Sequence, residues 1–437
     1  MTDLDSGPVE AVPERVEAGP PHQEMSPPYE LVGPEAARLE EPLIARVHAR
    51  ARVVAMSATR QDVLWLTAIY ISTRGLLLLA AYLQSSFGHH DFLHELSNWD
   101  GLWYRQVANH GYLDHVSYAQ TTLGFFPLFP VTIWLIEPII MVLTGQGSTF
   151  AASLAGVGIS MVGGGVATYF IYKLATGWWG RETARKATAL VVIFPGSVVF
   201  SMVYSEGLLL PLAAACLYAL ERRRWLLAGV LAGIATAVQP TGLALIPVCA
   251  LSALLEWRRH GWSLATLRRV IVAPVLSTFG VGAFAMFLWL WTGSPLANYQ
   301  AQHHGWSEKT DPFAIVHLAA TLVQEISFDH FNRPTINLNL VVGLIGAVLL
   351  VWTLTLLVRE RHRVSIEAIA WTAGISFLAL TSEYVPPNPR LLITAFPAIM
   401  VVARYVHGRA WTLILWGNGV LLIVLSVCTF WGTTLRP

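Results

Sequence analysis

From Val63 almost to its end, the chain is a succession of apolar runs parted by short polar or basic breaks. The runs fall at about 63–83, 148–172, 187–203, 206–220, 225–239, 241–256, 271–291, 337–358, 365–381, 390–407 and 411–432. Charged residues make up 13% of the chain and hydrophobic ones 54%, where a soluble domain carries about 25% charged residues. A water-soluble globule of this size needs a far more charged surface, so a soluble enzyme or a peripheral binding module is excluded. Segments that cross a bilayer must be apolar and must satisfy their own backbone groups, which leaves helices for runs of this kind. The predicted fold is all-α and polytopic, with about eleven membrane spans embedded in lipid. A net charge of +1 gives no basic surface for nucleic acid.

Residues 1–62 read as a separate region. The first 42 hold ten acidic residues, two arginines and eight prolines, a composition that cannot bury enough apolar surface to offset lost entropy and predicts disorder. Arg46, Arg50, Arg52 and Arg60 follow, a basic stretch that holds this side of the first span in the cytoplasm. The first apolar run begins too far along the chain for a cleavable signal peptide. The membrane domain is then 63–437. Its basic loops at 173–186, 221–224, 256–269, 359–363 and 404–409 all face the cytoplasm under one topology, provided that the apolar segment 125–143 does not cross on its own. That segment opens Phe125-Phe126-Pro127-Leu128-Phe129-Pro130, and two prolines so close together suit a re-entrant or interfacial entry. The three cysteines, Cys216, Cys249 and Cys428, lie inside apolar runs, so neither a disulfide nor a thiolate metal site is expected.

This topology gathers the unusual polar residues on the extracytoplasmic face. Loop 84–124 carries Asn98-Trp99-Asp100-Gly101-Leu102-Trp103-Tyr104. Aromatic faces pack on the apolar face of a sugar ring, and a carboxylate accepts a hydroxyl proton. The bland alternatives are interfacial belt positions for Trp99, Trp103 and Tyr104 and a helix cap for Asp100. His90 and His94, one helical turn apart beside Asp91 and Glu95, have the spacing of a metal pair. However, solvated histidines explain them as well, and position 98 is Asn, so this loop has no Asp-x-Asp motif to bind a nucleotide-sugar metal. No cofactor is expected. Glu206 and Arg74 are charges within apolar runs, costly unless partnered or functional; pairing with one another is the structural alternative. Arg390, after Pro386-Pro387-Asn388-Pro389, is suited to hold a phosphate or to anchor the end of its span. Loop 292–336 is longer than a plain connector requires, and its His303 and His304 face either a substrate or only solvent.

Taken in order, several of these motifs resemble the GPI mannosyltransferase II (PIG-V-like) family. Asn98 to Tyr104, Gly111-Tyr112 and Phe125 to Pro130 resemble its first luminal loop. Tyr204-Ser205-Glu206, the stretch from Arg224-Trp225 to Gln239-Pro240-Thr241-Gly242, the loop from Pro295 to Trp306 and the segment from Arg390 to Pro397 are similar to later pieces. Gln239 stands where that family usually has Arg. The resemblance implies a GT-C fold and an enzyme that takes a sugar, mannose by analogy, from a polyprenyl-phosphate donor on the outer face. A glycolipid, glycan or protein would be the acceptor. It also implies a catalytic carboxylate in the first outer loop, which maps onto Asp100. With only three lysines among 28 basic residues, a GC-rich bacterial, even actinobacterial, source and a plasma-membrane location are expected. A transporter or lipid-linked sugar flippase, which should show paired broken helices in internal repeats, and a non-catalytic subunit of the same fold are the rival readings.

Overall fold

The computed structural model describes residues 59–88, 91–328, 337–383 and 385–430. The acidic tail, Arg46, Arg50, Arg52 and the His89-His90 pair lie outside the described residues. The described chain is helical. In order it forms α1 (Arg60–Gly88), α2 (Phe92–Glu95), α3 (Asp100–His110), α4 (Leu128–Thr144), α5 (Ser148–Trp179), α6 (Arg181–Ile193), α7 (Glu206–Glu221), α8 (Trp225–Ala235), α9 (Leu245–Arg259) and α10 (Leu264–Val270). There follow α11 (Val272–Ser277), α12 (Phe279–Thr292), α13 (Ala297–Gly305), α14 (Ala314–Phe328), α15 (Leu338–Arg359), α16 (Ile366–Thr381), α17 (Pro389–Thr394), α18 (Phe396–Tyr405) and α19 (Gly408–Phe430). Three 3₁₀ turns, Thr122–Gly124, Pro195–Ser201 and Pro240–Ala244, interrupt the series.

Within the described residues, each apolar run read from the sequence falls largely on helix, with 187–203 and 241–256 partly on 3₁₀ turns. Among the described residues, five helices, one of them α9 together with the Pro240–Ala244 turn, are long and apolar enough to cross a membrane, and two bent pairs, at 70° and 42°, have the length and composition of broken spans or re-entrant loops. The remaining runs are shorter than a plain crossing, among them Trp225–Ala235 and Phe396–Tyr405. The breaks have local causes. Pro195 follows α6 and opens the 3₁₀ turn of the 70° pair, because proline cannot continue the helical hydrogen-bond ladder. Segment 125–143 forms a regular helix from Leu128, with Pro127 capping it and Pro138 inside. Its outer face, including Val131, Trp134, Ile139 and Leu143, is exposed and therefore suited to lipid.

The core is built on close helix crossings. A Cβ on Gly207 would lie 2.3 Å from the Ser160 Cα, and one on Gly163 would lie 1.8 Å from the Gly207 carbonyl oxygen. Only hydrogen at these positions lets α5 and α7 touch backbone to backbone, the small-residue packing that serves where apolar burial gives no net drive. Ser160 Oγ donates to the Tyr204 carbonyl at 2.9 Å, fixing the chain just ahead of α7. At the far end of α1, Arg185 donates to the buried Asp62 at 2.8 Å.

Two further ties hold the loops near α3 and α17. Helix α13 docks on the Thr122–Gly124 turn, with Asn298 Nδ2 and Gln302 Nε2 each donating to a carbonyl there at 2.7 Å. Past it, the Asp311 N–H donates to the Thr381 carbonyl at 2.7 Å and the Glu383 N–H to the Lys309 carbonyl at 3.1 Å. These bonds fasten the stretch from Lys309 to Asp311 to the chain just ahead of α17.

Gly207→Ala should therefore force α7 off α5 and cost about 1–3 kcal/mol. Gly75→Ala, where an added Cβ meets nothing within 4 Å, should be neutral or stabilising by a few tenths to about 1 kcal/mol. Thermal unfolding in detergent, followed by tryptophan fluorescence, separates the two. Equal melting temperatures for both variants would contradict the close crossing.

Candidate active site

Three charged side chains meet at the N-termini of three helices. Asp100 is the first residue of α3 and Glu206 the first of α7, where the positive end of the helix dipole favours a carboxylate. Arg390 is the second residue of α17, behind Pro389 and capped by Asn388, whose Oδ1 accepts the Leu391 N–H at 2.9 Å. Its Nη1 donates to Asp100 and its Nε to Glu206. The guanidinium also lies over the Tyr204 ring, 4.9 Å from the centroid.

The approach of α17 depends on Gly196. A Cβ there would fall 1.9 Å from the Pro389 carbonyl oxygen, so the broken segment after α6 admits the Arg390 backbone only as glycine. The two carboxylates differ in exposure. The Glu206 side chain is 1% exposed, whereas Asp100 is 25% and Arg390 23% exposed. One Glu206 oxygen, Oε2, is buried without a hydrogen-bond partner. Glu206 thus fixes the arginine from the protein side, and Asp100 holds it from the side open to a ligand.

A polar chain runs beside the centre. Tyr104 Oη and Ser205 Oγ are 2.7 Å apart, Ser205 Oγ donates to Gln239 Oε1 at 2.5 Å, and Gln239 Nε2 donates to Thr241 at 2.6 Å. A serine has one hydroxyl proton, so with that proton given to Gln239, Tyr104 is the donor of the first bond. Burial, with the Asp100 charge adding to it, pushes the Tyr104 phenol well above its ordinary value and keeps it protonated for that role.

An aromatic wall flanks α3. Trp103 stacks on Phe125 at 5.8 Å and meets Trp306 edge-on at 5.3 Å, and Tyr104 packs edge-on against Phe125 and Phe129. Trp99 caps α3 with φ 62° and ψ −121°, a backbone conformation costly for a bulky residue and found where surrounding contacts enforce it. Its indole nitrogen donates to the Thr429 carbonyl at 3.4 Å. Asp100 is accordingly not the cap of α3; its carboxylate turns to Arg390.

Other residues singled out in the sequence lie elsewhere. Arg74 and Glu206 do not pair with one another. The buried Arg74 guanidinium donates to the Ser197 and Val192 carbonyls and to the Ser197 and Ser201 hydroxyls, closing the carbonyls that the break after α6 leaves open. His303 and His304 share α13. His304 is exposed against Tyr118 at 5.1 Å, and His303 lies 6.0 Å from Tyr299. Asp91 caps α2 through the Leu93 N–H, and Glu95 is buried and accepts from Asn98. Among the described residues, no three His, Cys, Asp or Glu side chains gather as a metal site.

Trp306, Phe125, Ser160 and Gly196 complete the surroundings without having been assigned a role from the sequence. The first two stood inside motifs quoted there. The last two are small residues whose importance arises only from what approaches them.

Fold and site together define a many-helix membrane protein with a carboxylate–arginine–carboxylate centre beside an aromatic wall. Residues 64–300 match the family model described as mannosyltransferase (PIG-V). That is more than half of the chain, and the protein belongs to this mannosyltransferase family. Among solved structures, it is similar to the Archaeoglobus fulgidus oligosaccharyltransferase in its apo form, at 14% identity and a TM-score of 0.43. It is also similar to AglB from the same organism in complex with an inhibitory peptide and a dolichol-phosphate, at 12% and 0.45. Both matches cover 84% of this chain and 56% of the other. ArnT from Cupriavidus metallidurans matches at 18% and 0.42, over 72% of this chain and 56% of that one. The chain thus spans little more than half the length of these proteins. No curated protein matches it in sequence.

Arg390→Leu should lower the melting temperature sharply, since it strands the buried Glu206 carboxylate at a cost of about 3–5 kcal/mol. Arg390→Leu combined with Glu206→Leu should recover most of that loss. A double variant no more stable than the single one would show that the pair is not energetically coupled.

Proposed function

We propose that this protein is a membrane glycosyltransferase of GT-C type that moves mannose from a polyprenyl-phosphate donor to a hydroxyl of a lipid, glycan or protein acceptor on the extracytoplasmic face of the plasma membrane. The observation that carries the reading is the Arg390 guanidinium held between Asp100 and Glu206, within a chain of the mannosyltransferase family.

The chemistry follows from that pairing. The donor phosphate approaches from the Asp100 side and takes over part of the arginine, whose planar fork binds phosphate oxygens in pairs. Glu206 keeps hold of Nε throughout. Asp100, released from its ion pair, is then a free carboxylate beside the acceptor. It takes the proton of the acceptor hydroxyl as that oxygen bonds to the anomeric carbon, and the carbon–oxygen bond to phosphate breaks. The carbon passes through an oxocarbenium-like state, and the polyprenyl phosphate leaves with its charge met by Arg390. One displacement inverts the anomeric configuration, so a β-linked donor gives an α-linked product. Trp103 and Trp99 offer apolar faces to the sugar, and the chain from Tyr104 through Ser205 to Gln239 holds the centre in register. His303 and His304, on α13, are assigned to the acceptor side. Arg74 supports the fold beneath.

Asp100→Asn should lower transfer from polyprenyl-phosphomannose by about 10²- to 10⁴-fold, the share a general base supplies, with the protein still folded and inserted. Arg390→Lys, which cannot bridge two groups at once, should fall with it. Near-normal transfer by purified Asp100→Asn would overturn the assignment. A folded wild-type protein inert towards every polyprenyl-phosphate sugar would favour a transporter or a non-catalytic subunit.

A further inference from the structure

Helices α4, α5, α7 and α8 enclose an apolar groove of about 740 Å³ that the proposed chemistry does not use. It runs along α5 from Leu154 to Phe170, roughly 24 Å of helix at 1.5 Å per residue. A single bilayer leaflet is about 15 Å deep in hydrocarbon, so the groove is long enough for one whole lipid tail. Gly158 lies on its floor, and a Cβ there would meet nothing within 4 Å.

One end of the groove is cationic. Arg224 lines it together with Tyr218. The Tyr218 ring is approached by Lys173, with Nζ 5.7 Å from the centroid, and by the Arg222 guanidinium at 4.8 Å. The nearby acid, Glu221, is held by the Trp178 indole at 2.7 Å. Lys173 is only 8% exposed, yet among the described residues neither it nor Arg224 has an ion pair with a carboxylate. A buried ammonium without a counter-charge is costly, and a lysine that merely anchors a helix end would extend into water.

We propose that this groove is a binding site for an anionic phospholipid, with its tail along α5 and its phosphate at Lys173, Arg222 and Arg224. An apolar trench ending at Lys173 and Arg224, which have no carboxylate ion pair among the described residues, matches an amphiphile with a negative head at that end. The charge lies at the end away from Glu206, so the head belongs to the leaflet opposite the candidate active site.

Native mass spectrometry of the full-length protein tests this, with phosphatidylglycerol and phosphatidylcholine of identical chains titrated in separate series. The wild type should bind the anionic lipid about tenfold more tightly. Lys173→Met with Arg224→Gln should abolish that preference. Gly158→Leu, which fills the trench without touching backbone, should weaken both lipids and leave the melting temperature unchanged. Equal affinity of the wild type for the two lipids would overturn the proposal, as would a preference that survives loss of both cations or binding indifferent to Gly158→Leu. A polyprenyl phosphate that is displaced by Gly158→Leu but insensitive to the cation variants, with no phosphatidylglycerol preference, would assign the groove to the donor tail and likewise overturn it.

Discussion

A guanidinium shared between two carboxylates is the interaction on which the rest of the site depends. In a low-dielectric interior each of the three charges alone would be prohibitive, and together they leave a single net negative charge spread over a rigid plane. Helix N-termini at Asp100 and Glu206 offset part of that excess. The unequal exposure of the two acids divides their work: the buried one anchors, and the accessible one can exchange its partner.

Everything around the centre keeps three distant pieces of chain in one place. The α5–α7 crossing at Gly163 and Gly207 sets the height of Glu206. The bare face of Gly196 lets α17 deliver Arg390, and the strained cap at Trp99 turns Asp100 inwards. Arg74 performs a quieter task in closing the carbonyls of the broken segment that carries Gly196. A charge buried in a helix thus supports the carboxylate–arginine cluster by repairing the backbone beneath it.

Much of this was legible in the residues. The apolar runs marked the helices because spanning segments leave little choice of structure, whereas the prolines were an uneven guide: Pro195 opens a break, but Pro127 and Pro130 begin a regular helix. Asp100, Glu206 and Arg390 each stood out as a charge or polar cluster where charge is costly. Their meeting was not legible, since Arg390 is 290 residues from Asp100 and 184 from Glu206, and no local pattern encodes such a contact. The partners of Arg74 were not legible for the same reason: they are carbonyls and serine hydroxyls more than a hundred residues away, which no local pattern distinguishes. The number of crossings also resisted counting, because several apolar helices are shorter than a bilayer is thick, and tilt and breakage are decided by neighbours.

The backbone bonds that fasten Asp311 to Thr381 and Glu383 to Lys309 have a thermodynamic corollary. A long loop segment left free would have to be immobilised each time a ligand arrived, and that entropy would be subtracted from affinity at every encounter. Stitched to the strand of chain leading into α17, this segment meets much of the ordering cost once, during folding. Visiting molecules then find a rim already in shape.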